Sequence, residues 1–215
     1  MNNSTLFKKI SNKSSNKELI AKQIINNPDL LPQIFEGIKN NKADIKYGCD
    51  KVLRIISEKM PLLLYPNIGY FISNLSSDNN LFKWSAVVII SNLSSVDTRN
   101  KIDKIIDKYL LPIQGSVLIT AANVIKGAAK IAVSKPALAD KISKALLGVA
   151  KSNYQTKECN NIAIGKTIET FEILYDLVDD KDSLIKFAEG QLNNSRNATK
   201  KKAIKFLKKM KEAVN

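Results

Sequence analysis

The chain has 215 residues, of which 44% are hydrophobic and 25% are charged, with a formal net charge of +14. This composition allows a sizeable core and argues against a wholly disordered chain. Histidine is absent and only two cysteines occur, which excludes histidine-activated nucleophiles and histidine-containing zinc sites. We therefore expect no metal and no cofactor. No apolar run is long enough to span a membrane and no secretory signal is recognisable, so a cytoplasmic location is expected.

The positive charge would ordinarily suggest an acidic partner such as nucleic acid. Arginine, however, is the side chain that best suits bidentate contacts with phosphate and guanine. Only Arg54, Arg99 and Arg196 are arginines, and the chain is also rich in asparagine and isoleucine. An AT-biased coding sequence would produce the same lysine content without any selection for binding. The charge by itself therefore does not predict nucleic-acid binding.

The first half of the chain predicts helices in long and short pairs. Residues 1–14 are rich in Asn, Ser and Lys, and we expect a disordered or frayed terminus, although Leu6, Phe7 and Ile10 could form a docking turn. Apolar residues then recur at helical spacing from residue 15 onward. The longer predicted helices span residues 43–60 and 81–95, and the second is apolar on nearly every side and hence buried. Shorter partners start at Pro61 and at Asp97.

The second half continues the same alternation. Long helices are predicted at residues 116–133, at residues 157–177 and from Arg196 to the end. Shorter partners begin at Pro136 and near Asp182. No segment of alternating polar and apolar residues competes with helix, so the class is all-α. Short turns containing Pro, Asp or Asn join the helices and predict antiparallel pairs.

One pattern returns about every 35 to 45 residues, which is a period typical of stacked helix pairs. It consists of a β-branched or aromatic residue, often a lysine after it, then a small residue and an apolar run. Its four copies are Ile45–Cys49, Phe82–Ala86, Ile119–Ala122 and Thr199–Ala203. The sequence therefore predicts a right-handed α-solenoid of about five to six stacked antiparallel helix pairs, forming a single repeat domain over residues 15–215. The register of the repeats stays open over residues 115–175.

These segments resemble HEAT repeats, whose first helix carries an Asp or Asn, an aliphatic residue, a basic residue, a small residue and an apolar run. Asp44–Cys49 followed by Val52 and Leu53 fits this pattern, and so does Phe82–Ala86. Thr199–Ala203 fits as a terminal half-repeat. The resemblance covers roughly residues 16–214 and implies an α-solenoid whose second helices line the concave face.

Basic side chains are the candidates for partner binding. The lysines that follow Asp97 share one side of a predicted helix, and so do the lysines that follow Pro136. If these two helices lie side by side, their lysines would form a strip that attracts phosphates. The alternative is that these lysines only solvate exposed faces, or that the terminal ones form the polar cap of a repeat array. The three groups are Lys101, Lys104 and Lys108; Lys141, Lys144 and Lys151; and Arg196, Lys200, Lys201 and Lys205.

The leading hypothesis is a non-enzymatic HEAT-like binding or scaffold protein that presents its concave surface to another protein. The alternative is a nucleic-acid-binding solenoid that uses the lysine strips. A third hypothesis follows from resemblance to HEAT-like DNA glycosylases for alkylated bases, which place tryptophans and a catalytic carboxylate in the concave cleft. The chain has only Trp84, so no catalytic residue is carried over. The sequence identifies neither the partner nor the oligomeric state.

Overall fold

The computed structural model describes residues 3–212, with side chains from residue 5 onward, and α- and 3-10 helices are the regular secondary structure in that range. The helices form two compact units, Met1–Arg99 and Asn100–Asn215. The prediction of one continuous repeat domain over residues 15–215 stays a prediction.

The first unit contains seven α-helices among its described residues. They are α1 (Asn3–Ser11), α2 (Lys17–Asn26), α3 (Leu31–Ile38), α4 (Ala43–Lys59), α5 (Pro61–Leu64), α6 (Ile68–Asn74) and α7 (Asn80–Leu93). Helix α4 is the centre of this unit, because α1, α2, α3, α5 and α7 all pack against it. Its face of Cys49, Val52, Leu53 and Ile56 is completely buried, as expected for an apolar stripe of helical period.

The N-terminus differs from the expected frayed segment, because α1 is a helix docked on α4. The side chains of Leu6 and Ile10 are buried. Gly48 of α4 makes this contact possible: a Cβ placed there would lie 2.5 Å from the Cγ2 atom of Ile10 and 3.1 Å from its carbonyl oxygen. The sequence allowed a docking turn at Leu6, Phe7 and Ile10, and the structure extends it to a helix that packs against a distant glycine.

Replacing Gly48 by valine is expected to displace α1, because the new side chain would occupy the space of Ile10. Trypsin should then cut after Lys8 and Lys9 about tenfold faster than in the unchanged protein, since proteolysis requires local opening. The matched control is Gly69→Val, at another helical glycine, whose added Cβ would meet nothing within 4 Å. Equal cleavage rates in the two variants would show that Gly48 does not hold α1 in place.

The second unit also contains long and short helices in alternation. Its α-helices are α8 (Ile106–Leu110), α9 (Leu118–Ser134), α10 (Ala139–Leu147), α11 (Lys157–Leu174), α12 (Lys181–Glu189) and α13 (Asn197–Glu212). The long helices stack in order, α9 on α11 and α11 on α13, while α10 and α12 contact each other and the long helices beside them. The buried stripe of α13 is Thr199, Ala203, Phe206 and Met210, and Val214, which the sequence also places on it, lies outside the described residues.

The short partner helices are interrupted by turns and 3-10 segments. The helix expected from Asp97 to Leu110 is instead a turn, the 3-10 segment Asp103–Ile105 and the short α8. Asp97 does not cap a helix; its carboxylate accepts a hydrogen bond of 2.7 Å from the hydroxyl of Tyr65. Proline stands near the start of several 3-10 segments, where it fixes φ and removes an N–H donor. These segments are Pro28–Leu30, Tyr65–Asn67, Leu111–Gln114 and Pro136–Leu138.

Side-chain hydrogen bonds join neighbouring helices within each unit. Asn79 donates to the Tyr47 hydroxyl across 32 residues and Asn92 donates to Ser57 across 35. In the second unit the hydroxyl of Thr199 donates to the carbonyl of Asn161 across 38 residues. These separations of 32 to 38 residues lie at or just below the lower end of the period of about 35 to 45 residues found in the sequence. Polar side chains of the repeat thus hold neighbouring helices in register within each unit.

Candidate partner-binding surfaces

The first predicted group of lysines does not share one regular helix face. Lys101 lies in a turn and is half-buried, Lys104 lies in the 3-10 segment Asp103–Ile105, and Lys108 lies on α8. Lys104 and Lys108 are exposed. The predicted single helix face is therefore wrong, because the helix on which it depended is broken.

The second group lies beside the first, as the prediction of adjacent partner helices requires. The Nζ atom of Lys141 on α10 lies 2.7 Å from the Oδ2 atom of Asp107 on α8. This contact also reduces the positive field, because the Lys141 charge is balanced by a carboxylate. Lys135 is similarly paired with Asp103. The basic strip is thus interrupted by its own acidic neighbours.

Lys144 and Lys151, by contrast, line a cleft of about 600 Å³. Both side chains are exposed. The other lining residues are Gln114, Leu147, Gly148 and Asn153. Sequence reasoning did not find the two amides, because they lie on connecting segments and not on the helix that carries the lysines.

The C-terminal basic group divides into paired and outward-facing residues. The Nε atom of Arg196 lies 2.6 Å from Glu158 Oε1, so this arginine holds the start of α13 against α11. Lys200 is half-buried, whereas Lys201 and Lys205 are exposed. Two further lysines, Lys202 and Lys209, reach Glu169 and Glu172 of α11 at 2.9 and 3.6 Å. Part of the predicted patch therefore attaches the last helix, and part of it faces solvent.

A groove between α9 and α11 combines apolar and positively charged side chains. Its volume is about 240 Å³. On the α11 side of the groove, Ile173 is 49% exposed. On α9, Ile119 and Val133 come before and after the residues that line the groove, and they are 55% and 57% exposed. The lining residues are Ala122, Ile125, Lys126, Ala129, Lys166, Glu169, Thr170 and Ile173. The alanines of α9 open this groove, since they allow the α11 backbone to approach while leaving room above them.

The charge of this groove is positive. The side chains of Lys126 and Lys166 carry no hydrogen bond or ion pair with any residue between 5 and 212. Glu169, the acidic member of the lining, is engaged by Lys202. The signal that could have revealed the groove is the spacing of Ile119, Lys126 and Val133, which stand seven residues apart along α9 and therefore on one face of the helix.

No group of three or more Cys, Asp or Glu side chains within the described residues could hold a metal ion. Cys49 is buried, and burial raises the pKa of its thiol to about 12, so the reactive thiolate is not formed near neutral pH. Trp84 is half-buried on α7. Within residues 3–212, no helix is long and apolar enough to cross a membrane.

No protein-family model matches the sequence, and no curated protein is similar to it. The structure is similar to a designed armadillo repeat protein at 15% identity, with 99% of this chain and 93% of that chain covered and a TM-score of 0.57. It is also similar to an engineered protein from a structural genomics consortium at 12% identity, with 97% and 88% covered and a TM-score of 0.56.

These similarities define the fold class. The protein is an all-α solenoid of the armadillo or HEAT type, as the repeat pattern of the sequence predicted. At such low identities the similarity concerns the fold, and the function has to be argued from the surfaces.

Proposed function

We propose that the protein is a non-enzymatic binding scaffold whose α9/α11 groove holds an amphipathic, acidic segment of another protein. The observation that carries this proposal is a groove that combines the exposed Ile173 with Lys126 and Lys166, two lysines whose side chains are unpaired, while Ile119 and Val133 are exposed further along α9. Isolated exposed apolar residues are common on proteins, but a contiguous apolar groove with a polar rim is typical of an interaction site.

The dimensions of the surface suit a helical segment. Ile119, Lys126 and Val133 lie at intervals of seven residues on α9, and so they follow one side of the helix over about 21 Å. A partner helix of about four turns would cover that length, with apolar residues at positions i, i+3 or i+4, and i+7. Acidic residues beside this apolar stripe would face Lys126 and Lys166.

The experiment is a selection of peptides from a random display library, followed by fluorescence anisotropy on the enriched sequences. We expect apolar residues at helical spacing flanked by Asp or Glu. Ile173→Glu should weaken binding at least about tenfold, because it places a like charge and a desolvation cost at the centre of the contact. The control is Ile204→Glu, the same change at an isoleucine that is 47% exposed on α13 and does not line the groove.

Enrichment of basic peptides, or equal binding by the two glutamate variants, would contradict the proposal. Circular dichroism of both variants ensures that lost binding does not reflect lost structure.

The nucleic-acid alternative depends on the lysine strips, and pairing of Lys141 with Asp107 and of Arg196 with Glu158 weakens that case. The glycosylase hypothesis gains no support, since Trp84 on α7 is the single tryptophan of the sequence and a second aromatic side chain of this kind is therefore missing.

A further inference from the structure

We propose that the cleft lined by Lys144, Lys151, Gln114 and Asn153 binds the phosphate or diphosphate group of a small molecule. This site is separate from the α9/α11 groove, because the two share no lining residue. The inference does not depend on the identity of any protein partner.

The four polar side chains of the cleft are available to a ligand. None of them forms a hydrogen bond or an ion pair with another side chain or backbone group between residues 5 and 212. Lys141, one helical turn before Lys144, is in contrast held by Asp107. Two neighbouring lysines on one helix thus differ in what they can still bind, and the available one points into the cleft.

The chemistry of the lining matches a doubly charged oxyanion. The cleft contains two ammonium groups and no carboxylate. A phosphate monoester carries a charge of about −1.5 to −2 near pH 7, so two lysines balance one such group. The amide NH₂ groups of Gln114 and Asn153 can donate to the remaining oxygens.

The two lysines stand seven residues apart, on α10 and on the 3-10 segment Gly148–Lys151. That separation is about 10–14 Å along the helix axis. Their long side chains can converge on one phosphate or hold the two ends of a diphosphate. We therefore expect a diphosphate to bind more tightly than a single phosphate.

Gly148 keeps the floor of the cleft open. A Cβ at this position would lie 3.2 Å from the Nε2 atom of Gln114, so any larger residue would push that amide aside. The cleft volume of about 600 Å³ lies within the range of small-molecule sites, roughly 300–1,000 Å³.

A nucleic acid suits this place less well. Strong binding to a nucleic-acid backbone needs several phosphate contacts along a track. Here the track is interrupted, because Lys141 and Lys135 are paired with acidic side chains of the same unit. The favourable geometry is confined to one cleft.

The experiment is a titration of the full chain with inorganic phosphate and with pyrophosphate, followed by nitrogen–proton NMR. The expected result is a saturable shift of the side-chain amide signals of Gln114 and Asn153, with pyrophosphate binding tighter. Lys144→Gln and Lys151→Gln should each weaken binding about two- to fivefold, the effect of removing one exposed charge pair. Binding of inorganic phosphate should also weaken as the pH falls through the second pKa of phosphate, because the dianion gains a proton and loses one charge.

The matched control is Lys22→Gln, which removes the same charge from an exposed position on α2 outside both the cleft and the groove and should leave the binding unchanged. Equal effects of all three lysine variants, or equally strong binding of phosphate at pH 5 and pH 7, would reveal general attraction to a basic protein and overturn the proposal. Binding of single-stranded RNA that depends on Lys144 and Lys151, without binding of either phosphate, would also overturn it and favour a nucleic-acid surface.

Discussion

Replacing Phe171 by alanine is expected to lower the free energy of unfolding by about 3–5 kcal/mol, the cost of a large cavity in a well-packed core. Phe171 lies on α11 and is completely buried. Its ring meets that of Phe187 edge to face, with centroids 5.3 Å apart. Because α11 packs against both α9 and α13, the cavity would open at the centre of the second unit. Equilibrium urea denaturation followed by circular dichroism measures the loss.

Phe187→Ala provides the matched control. It removes the same ring pair, which contributes about 0.5–1.5 kcal/mol, but the Phe187 side chain is only half-buried. We expect its cost to be less than half that of Phe171→Ala. Equal costs for the two variants would mean that the ring contact, and not burial on α11, determines the stability of this region.

The second large effect concerns Asp50, and it depends on pH. This carboxyl lies on α4 against α7, where the hydroxyl of Ser85 donates a hydrogen bond to it and Arg54 Nε lies 3.6 Å away. Burial raises the pKa of Asp50 to about 6, although the Ser85 hydrogen bond and the Arg54 charge oppose the rise. The carboxylate is therefore the unfavourable form in the folded state.

The direction in which stability changes with pH follows from proton binding. Between pH 4 and pH 6 the folded protein holds the Asp50 proton more tightly than the unfolded chain does, so this group lowers the stability as the pH rises through that window. The loss is complete above about pH 6. The rise of the Asp50 pKa from its ordinary value of 3.8 to about 6 corresponds to a loss of about 3 kcal/mol in the free energy of unfolding.

Asp50→Asn should therefore make the protein up to about 3 kcal/mol more stable at pH 7 and leave it almost unchanged below pH 4. The asparagine oxygen can still accept the Ser85 hydrogen bond. The measurement is the difference in the free energy of unfolding between the two proteins from pH 4 to pH 8, because subtraction removes the titration of other groups. A difference that does not change with pH would contradict the assignment.

A second test uses Trp84, which precedes Ser85 on α7. Its fluorescence should follow the titration of Asp50 in the unchanged protein and lose that dependence in Asp50→Asn.

Ser85→Ala removes the hydrogen bond that lowers the pKa of Asp50, so the midpoint of the Asp50 titration should move above pH 6. A midpoint that moves downward would show that Ser85 does not stabilise the carboxylate.

The long helices could be predicted closely because their stability depends on patterns within one segment. Helix α4 was expected at residues 43–60 and spans Ala43–Lys59; α9 was expected at residues 116–133 and spans Leu118–Ser134. In each, apolar residues recur at helical spacing over several turns. The short partners could not be predicted as well, since proline and tertiary contacts determine where an α-helix yields to a 3-10 turn.

The candidate surfaces were only partly predictable. The sequence indicated Lys144 and Lys151 but could not distinguish them from Lys141, because the carboxylate that binds Lys141 is 34 residues away. Similarly, Arg196 looked like part of an exposed patch until its contact with Glu158 was known. The α9/α11 groove was not predicted, since it requires the spacing between two helices that lie far apart in the chain.

By itself, the sequence determined that the protein is all-α and built of repeated helix pairs, because hydrophobic period and turn residues are local properties of the chain. The tertiary structure alone decided which charges remain free, whether α1 docks and where grooves open. Those properties depend on contacts between residues about one repeat or more apart, such as Gly48 with Ile10 and Asp107 with Lys141. Packing of neighbouring helices creates these contacts, and no single segment carries the information for them.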